Sequence, residues 1–111
     1  MGAPVNHKRM KPKAGAAPTA EERSHMARVA KLPCVVCGVW PVHLHHVTAK
    51  IEGGRIRRSH RRVVNLCPVH HQIQHGPLES VHALSHRGFW LRYGIDLLAK
   101  ADDLWAESIG L

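Results

Sequence analysis

VVNLCPVHHQIQHG, residues 63–76, holds Cys67, His70, His71 and His75, four potential metal ligands within nine residues. Val63 to Leu66 reads as a short strand rich in β-formers. A helix is expected to begin near Pro68, because proline is tolerated in a first turn, and to end at Gly76-Pro77. The Cys67-x-x-His70 spacing folds two side chains back toward one point. Upstream, Cys34-x-x-Cys37 does the same, and Gly38 permits the tight turn that follows. Cys34, Cys37, Cys67 and His70 together give a Cys3His set, which suits tetrahedral Zn²⁺ in a structural role. His71 and His75 lie at i and i+4, so on a helix they share one face. Two imidazoles hold a metal weakly, and a third is expected from His45 or His46. The other of that pair would stand beside the metal, where a general base is needed.

Working outward, Val39 to Val47 reads as a strand. Alternation would send His43 and His45 to one face and His46 to the other; a shift of two would put His43 in place of His45. Lys50 to Arg62 is a loop or hairpin tip with Gly53-Gly54 and five arginines, Arg55, Arg57, Arg58, Arg61 and Arg62. Arginines so clustered suit the phosphates of DNA. Thr19-Ala-Glu-Glu22 is a capping box that should open a helix running to about Lys31, before Pro33. Leu78 to Tyr93 is expected to be helical in its second part, with Gly94 as its stop. Asp96 should cap a last helix from Leu97 to about Ser108, with Leu97, Leu98, Ala101, Leu104 and Trp105 on one face. Phe89, Trp90 and Trp105 are the expected aromatic core. His7, His25, His60, His82 and His86 fall into no partner pattern.

The chain has 111 residues and only five aromatics, so a single small domain with a marginal core is expected, one that a structural metal would support. Residues 1–18 carry three prolines and four Lys/Arg without apolar periodicity and read as a disordered basic arm; residues 19–111 form the domain. Three cysteines cannot all pair as disulfides, and their spacing favours a reduced cytoplasmic metal protein. Before Val63 there are 13 Lys/Arg against 3 Asp/Glu; from Val63 onward, 3 against 5. A basic half on a small domain is the footprint of a nucleic-acid partner. No apolar run approaches a membrane span, and the N-terminus lacks the apolar core of a secretory signal.

A strand with His45-His46, an arginine-rich loop, a second strand and then Cys-x-x-His-His-x-x-x-His resembles the HNH endonucleases of the ββα-metal type. Within that group, LPCVVCG at 32–38, HHV at 45–47, NLCPVHHQIQHG at 65–76 and FWLRYGIDLLAKADDLW at 89–105 look most like the Ref-type recombination-associated nucleases of phages and their prophage relatives. The resemblance covers roughly residues 20–108. It implies an α+β fold: a small zinc-stabilised ββα-metal core with flanking helices. It implies that His46 is the general base and that His45, His71 and His75 hold a catalytic divalent ion (Mg²⁺, Mn²⁺ or Zn²⁺). Cys34, Cys37, Cys67 and His70 would hold structural Zn²⁺. DNA phosphodiester hydrolysis with little sequence specificity is the implied activity, in a bacterial host; a further reading is a nuclease active only with a partner, such as a RecA-type filament on single-stranded DNA. One departure stands out: the central Asn usually lies nine residues before the first helix His, and that position is Arg62 here. Either Asn65 takes the task of orienting the base from a shifted place, or a backbone carbonyl or another residue does. The competing class is a non-catalytic zinc-stabilised nucleic-acid-binding module.

Overall fold

The computed structural model describes residues 17–50 and 56–110. Most of the basic arm and Arg55 fall outside them, and the side chain of Arg57 is likewise not described. Helix α1, Ala20–Val29, starts at the expected capping box: Thr19 Oγ1 accepts from the Glu22 amide, and Glu22 accepts from the Thr19 amide. Both orphan donors at the helix start are thereby satisfied. The knuckle follows. Gly38 adopts φ +76° and donates its N–H to the Cys34 carbonyl, 2.9 Å, closing the turn between the two cysteines.

Strand β1, His43–His46, pairs antiparallel with β4, Val63–Leu66. Between them β2, Ala49–Lys50, pairs with β3, Ile56–Arg57, so the arginine-rich segment is a hairpin extension. The register sets His45 opposite Val64 and His46 opposite Val63. His43, His45, Val64 and Leu66 therefore share one face, and Leu44, His46, Val63 and Asn65 the other. All four residues of β4 are buried, as expected for a strand covered on both sides. Helices α1 and α4, Leu97–Ser108, pack on β4 and on each other. Helix α2, Pro68–His71, contacts β1, β4 and the longer helix α3, Val81–Tyr93. The core joins Val29, Val47, Val63, Val64, Leu66, Phe89, Leu97, Ala101 and Leu104.

The fold departs from the sequence reading in three places. Helix α2 is one turn long and stops at His71, because Gln72 leaves the helix in an extended conformation (φ −115°, ψ 141°). The chain then folds back so closely that a Cβ on Gly76 would lie 1.9 Å from the Val69 carbonyl oxygen. Only glycine fits there, so it marks a fold-back where a helix end was expected. Helix α3 breaks at Ser85, whose φ is +67°. Trp90 is not core: it is 54% exposed, because α3 turns Phe89 inward and its neighbour lies about a quarter-turn away. Trp105 is half-buried, edge-on to His25 and beneath the Arg61 guanidinium. Among the described residues no helix is long and apolar enough to cross a membrane.

Candidate metal centres and catalytic groove

Cys34 and Cys37, from the knuckle, meet Cys67 and His70 at the junction of β4 and α2, and their ligand atoms all lie within 4.8 Å of one another. Cys37 Sγ is 3.7 Å from Cys67 Sγ. His70 Nδ1 is 3.8 Å from Cys34 Sγ and 3.3 Å from Cys67 Sγ. A tetrahedral ion with metal–sulfur bonds of about 2.3 Å needs sulfurs about 3.8 Å apart. The cluster thus has the size and donor chemistry of such a site. The Val36 amide also points at Cys34 Sγ, 3.4 Å. At Cys34 burial opposes ionisation, but backbone N–H donors from Cys67, Cys37 and Val36 outweigh it and lower the thiol below its ordinary value. Burial pushes the Cys67 thiol up to about 11.

The second cluster is made of imidazoles alone. His45, His71 and His82 offer ligand atoms within 4.8 Å of one another. The His45 and His71 rings stand edge to face with centroids 5.2 Å apart, and His71 and His82 are tilted at 57° with centroids 4.8 Å apart. Two more histidines brace them. His43 Nδ1 lies 2.9 Å from His71 Nδ1, and His86 Nε2 lies 2.9 Å from His45 Nε2. Such partners fix the orientation and tautomer of a metal ligand. Burial first, then His71, His86, His82 and His46, lower His45 to about 3; burial, His82 and His43 lower His71 to about 4. Both stay neutral near pH 7, with lone pairs available to a cation.

His75 is not among them. Its place on the helix face existed only while α2 continued, and the fold-back after Gln72 leaves His75 exposed in a turn. His82 stands where it was expected. The signal was in the sequence: His82 and His86 sit at i and i+4, the same spacing as His71 and His75.

His46, the last residue of β1, leaves the strand on the other side. Its Nδ1 is 3.3 Å from an Arg58 nitrogen, and its Nε2 is 3.3 Å from His60 Nδ1. Burial, then Arg58, then His60, hold it below the usual histidine range. Asn65 is 3% exposed and donates to the Pro33 carbonyl, 2.5 Å, beside the first cysteine of the knuckle. The Asn65 carbonyl also accepts from the Val35 amide, 3.0 Å. In this structure Asn65 steadies the Cys34 loop, and its amide is not directed at His46. Of the hairpin arginines, Arg61 pairs with Glu22 at 3.4 Å and Arg62 with Asp102 at 3.2 Å. Both pairs are at the surface, where such bonds are worth no more than about 1 kcal/mol, so a phosphate can compete for either arginine.

The family model described as "Recombination enhancement, RecA-dependent nuclease" matches residues 18–105. The chain belongs to this family. No curated protein matches the sequence. Membership in the RecA-dependent nucleases makes a nuclease in recombination the functional frame. Both Cys/His clusters lie inside the matched segment.

The neutral state of His45 has a consequence for stability. Its value is depressed in the folded protein, so the unfolded chain binds the extra proton first as pH falls. Stability is therefore full above about pH 6.5 and is lost as pH drops from there toward 3, by up to about 1.4 kcal/mol per pH unit for this one group. His71 adds loss of the same sign. Urea midpoints measured at graded pH should fall steadily below about pH 6.5. A midpoint that stays flat down to about pH 5 would contradict the buried neutral imidazoles.

Proposed function

We propose that this chain is a metal-dependent DNA endonuclease of the HNH, ββα-metal type, hydrolysing phosphodiester bonds with little sequence specificity on DNA organised by a RecA-type filament. The observation that carries the reading is the convergence of His45, His71 and His82, with His46 next to His45 in the chain and on the other face of β1, in a chain of the RecA-dependent nuclease family. In this reading Cys34, Cys37, Cys67 and His70 hold structural Zn²⁺, and residues 19–111 form the nuclease domain behind a basic arm. The three free cysteines suit the reducing cytoplasm of a bacterial host of a phage or prophage.

His45, His71 and His82 would hold the catalytic ion, which supplies charge neutralisation at the phosphate and at the leaving 3′ oxygen. The protein's own groups do the rest. His46 removes a proton from the attacking water as its oxygen adds to phosphorus. The P–O3′ bond breaks, solvent protonates the 3′ oxygen, and the products carry 5′ phosphate and 3′ hydroxyl ends. His43 and His86 keep the ligand rings in place. Arg58, at His46, and Arg61 and Arg62 would contact phosphates, not bases; Arg55 and the Arg57 side chain, outside the described residues, are assigned the same task from the sequence. Such contacts give affinity without sequence choice.

The test sets His82→Ala beside His75→Ala in nicking of supercoiled plasmid, with and without a recombinase-coated strand, and with metal content measured. His82→Ala should lose a second, labile metal and at least about 10–100-fold in rate, since removing even an outer partner of a ligand costs that much. His75→Ala should stay within about 2-fold, as expected for a surface side chain outside the cluster. The reverse ranking would restore His75 to the site and remove His82. One tightly held metal and no cleavage under any condition would leave a zinc-stabilised binding module.

A further inference from the structure

We propose that His60 is the positioning residue of His46: it accepts the proton on His46 Nε2 and so fixes the tautomer in which Nδ1 is the basic nitrogen. This rests on the nuclease reading above, which leaves open what orients the base. The hydrogen-bond logic follows from donors and acceptors alone. A guanidinium can only donate, so Arg58, 3.3 Å away, makes His46 Nδ1 an acceptor. A neutral imidazole keeps one proton, so Nε2 carries it. Nε2 faces His60 Nδ1 at 3.3 Å, with the two rings 78° apart. His60 Nδ1 must therefore accept. The reverse polarity would strip His46 of both protons.

The turn that carries His60 is braced. The Arg62 amide donates to the Ser59 carbonyl, 3.2 Å, and the Arg61 amide to Ser59 Oγ, 3.1 Å. The Arg62 carbonyl in turn accepts from the Val47 amide, 2.9 Å, which ties the turn to the end of β1. His60 is thus fixed by the domain, while Arg58 is exposed on the hairpin. The two partners of His46 have different fates when DNA arrives. A phosphate oxygen makes stronger, charge-assisted bonds to a guanidinium than a neutral ring nitrogen does. Arg58 moves to the phosphate and uncovers Nδ1, and His60 stays. When Nδ1 then takes the proton from water, the Nε2–H bond to His60 holds the resulting imidazolium in place. The family pattern gives its central asparagine the task of pinning the loop that orients the base, and here the Asn65 amide donates to Pro33.

The experiment compares wild type, His46→Ala, His60→Ala and His60→Asn in steady-state nicking of recombinase-bound DNA. Tautomers of His46 are read from ¹⁵N imidazole shifts of the full protein. His60→Ala should lower kcat about 10–100-fold with KM within about 2-fold, as for other imidazoles deprived of an orienting partner. His60→Asn should recover most of the loss, because its Oδ1 sits where His60 Nδ1 does and can accept. With DNA bound and Arg58 on the phosphate, wild-type His46 should be the Nε2–H form, and His60→Ala should mix the two forms. The proposal is overturned if His60→Ala cleaves like wild type while His46→Ala is dead, if His60→Asn is no better than His60→Ala, or if wild-type His46 carries its proton on Nδ1. Should wild type itself not cleave, the nuclease reading fails, and the tautomer measurement still decides the His46–His60 pairing. If His60→Ala does not fold, His60→Asn and the wild-type spectrum carry the decision.

Discussion

Cys67→Ser protein is expected to be recovered without tightly bound zinc and without a cooperative thermal transition. Cys67 is 4% exposed, ends the buried strand β4 and stands between Cys37 and His70 in the cluster. Serine keeps the volume and removes the thiolate. A structural zinc supplies on the order of 10 kcal/mol in small modules, and a domain of this size has only about 5–15 kcal/mol in total. The loss is therefore the same size as the stability itself. Without the ion, the knuckle meets the end of β4 through the Asn65 contacts and neighbouring core side chains. Circular dichroism against temperature, with zinc content measured on the same sample, checks this. A zinc-free variant that melts cooperatively near the wild-type temperature would show the cluster to be dispensable to the fold.

His46→Ala should leave the fold and the zinc content unchanged and reduce nicking by about 10²–10⁴-fold, the range for removing a general base. The structural cost should be small. His46 is the half-buried last residue of β1, its side-chain partners are Arg58 and His60, and it belongs to neither Cys/His cluster. The comparison is made in plasmid nicking with Mg²⁺ or Mn²⁺, with and without the recombinase filament. Equal nicking by both proteins would remove His46 from the chemistry. A variant that has lost zinc would mean that His46 supports the fold instead. Together with Cys67→Ser, this separates a residue that the fold requires from one that only the reaction requires.

Much of this protein was legible because its signals are local. A capping box is complete within four residues, so the start of α1 could be read directly from Thr19 and Glu22. The knuckle is a five-residue turn, and Gly38 declares its left-handed position. C-x-x-C and C-x-x-H each bring two side chains together by spacing, and the two pairs meet with their ligand atoms within 4.8 Å of one another. The alternation of β1 placed His43 and His45 together and His46 apart, as the hydrogen bonds show. What the spacing of His71 and His75 could not convey was where α2 ends. That is decided by Gly76 against the Val69 carbonyl, a contact made by the chain returning on itself.

The sequence by itself determined the four Cys/His residues that meet in the first cluster, the neighbouring His45 and His46, and a basic loop between two short strands. Each rests on residues within a turn or strand of one another, where geometry follows from spacing. Only the tertiary structure decided that His82 and not His75 meets His45 and His71, that His60 faces His46, and that Asn65 serves the knuckle. Those pairings join α3 to β1, the hairpin base to β1, and β4 to the loop before Cys34. They depend on how whole elements pack, and packing is set by the sum of many weak contacts across the core, which no short stretch of sequence contains.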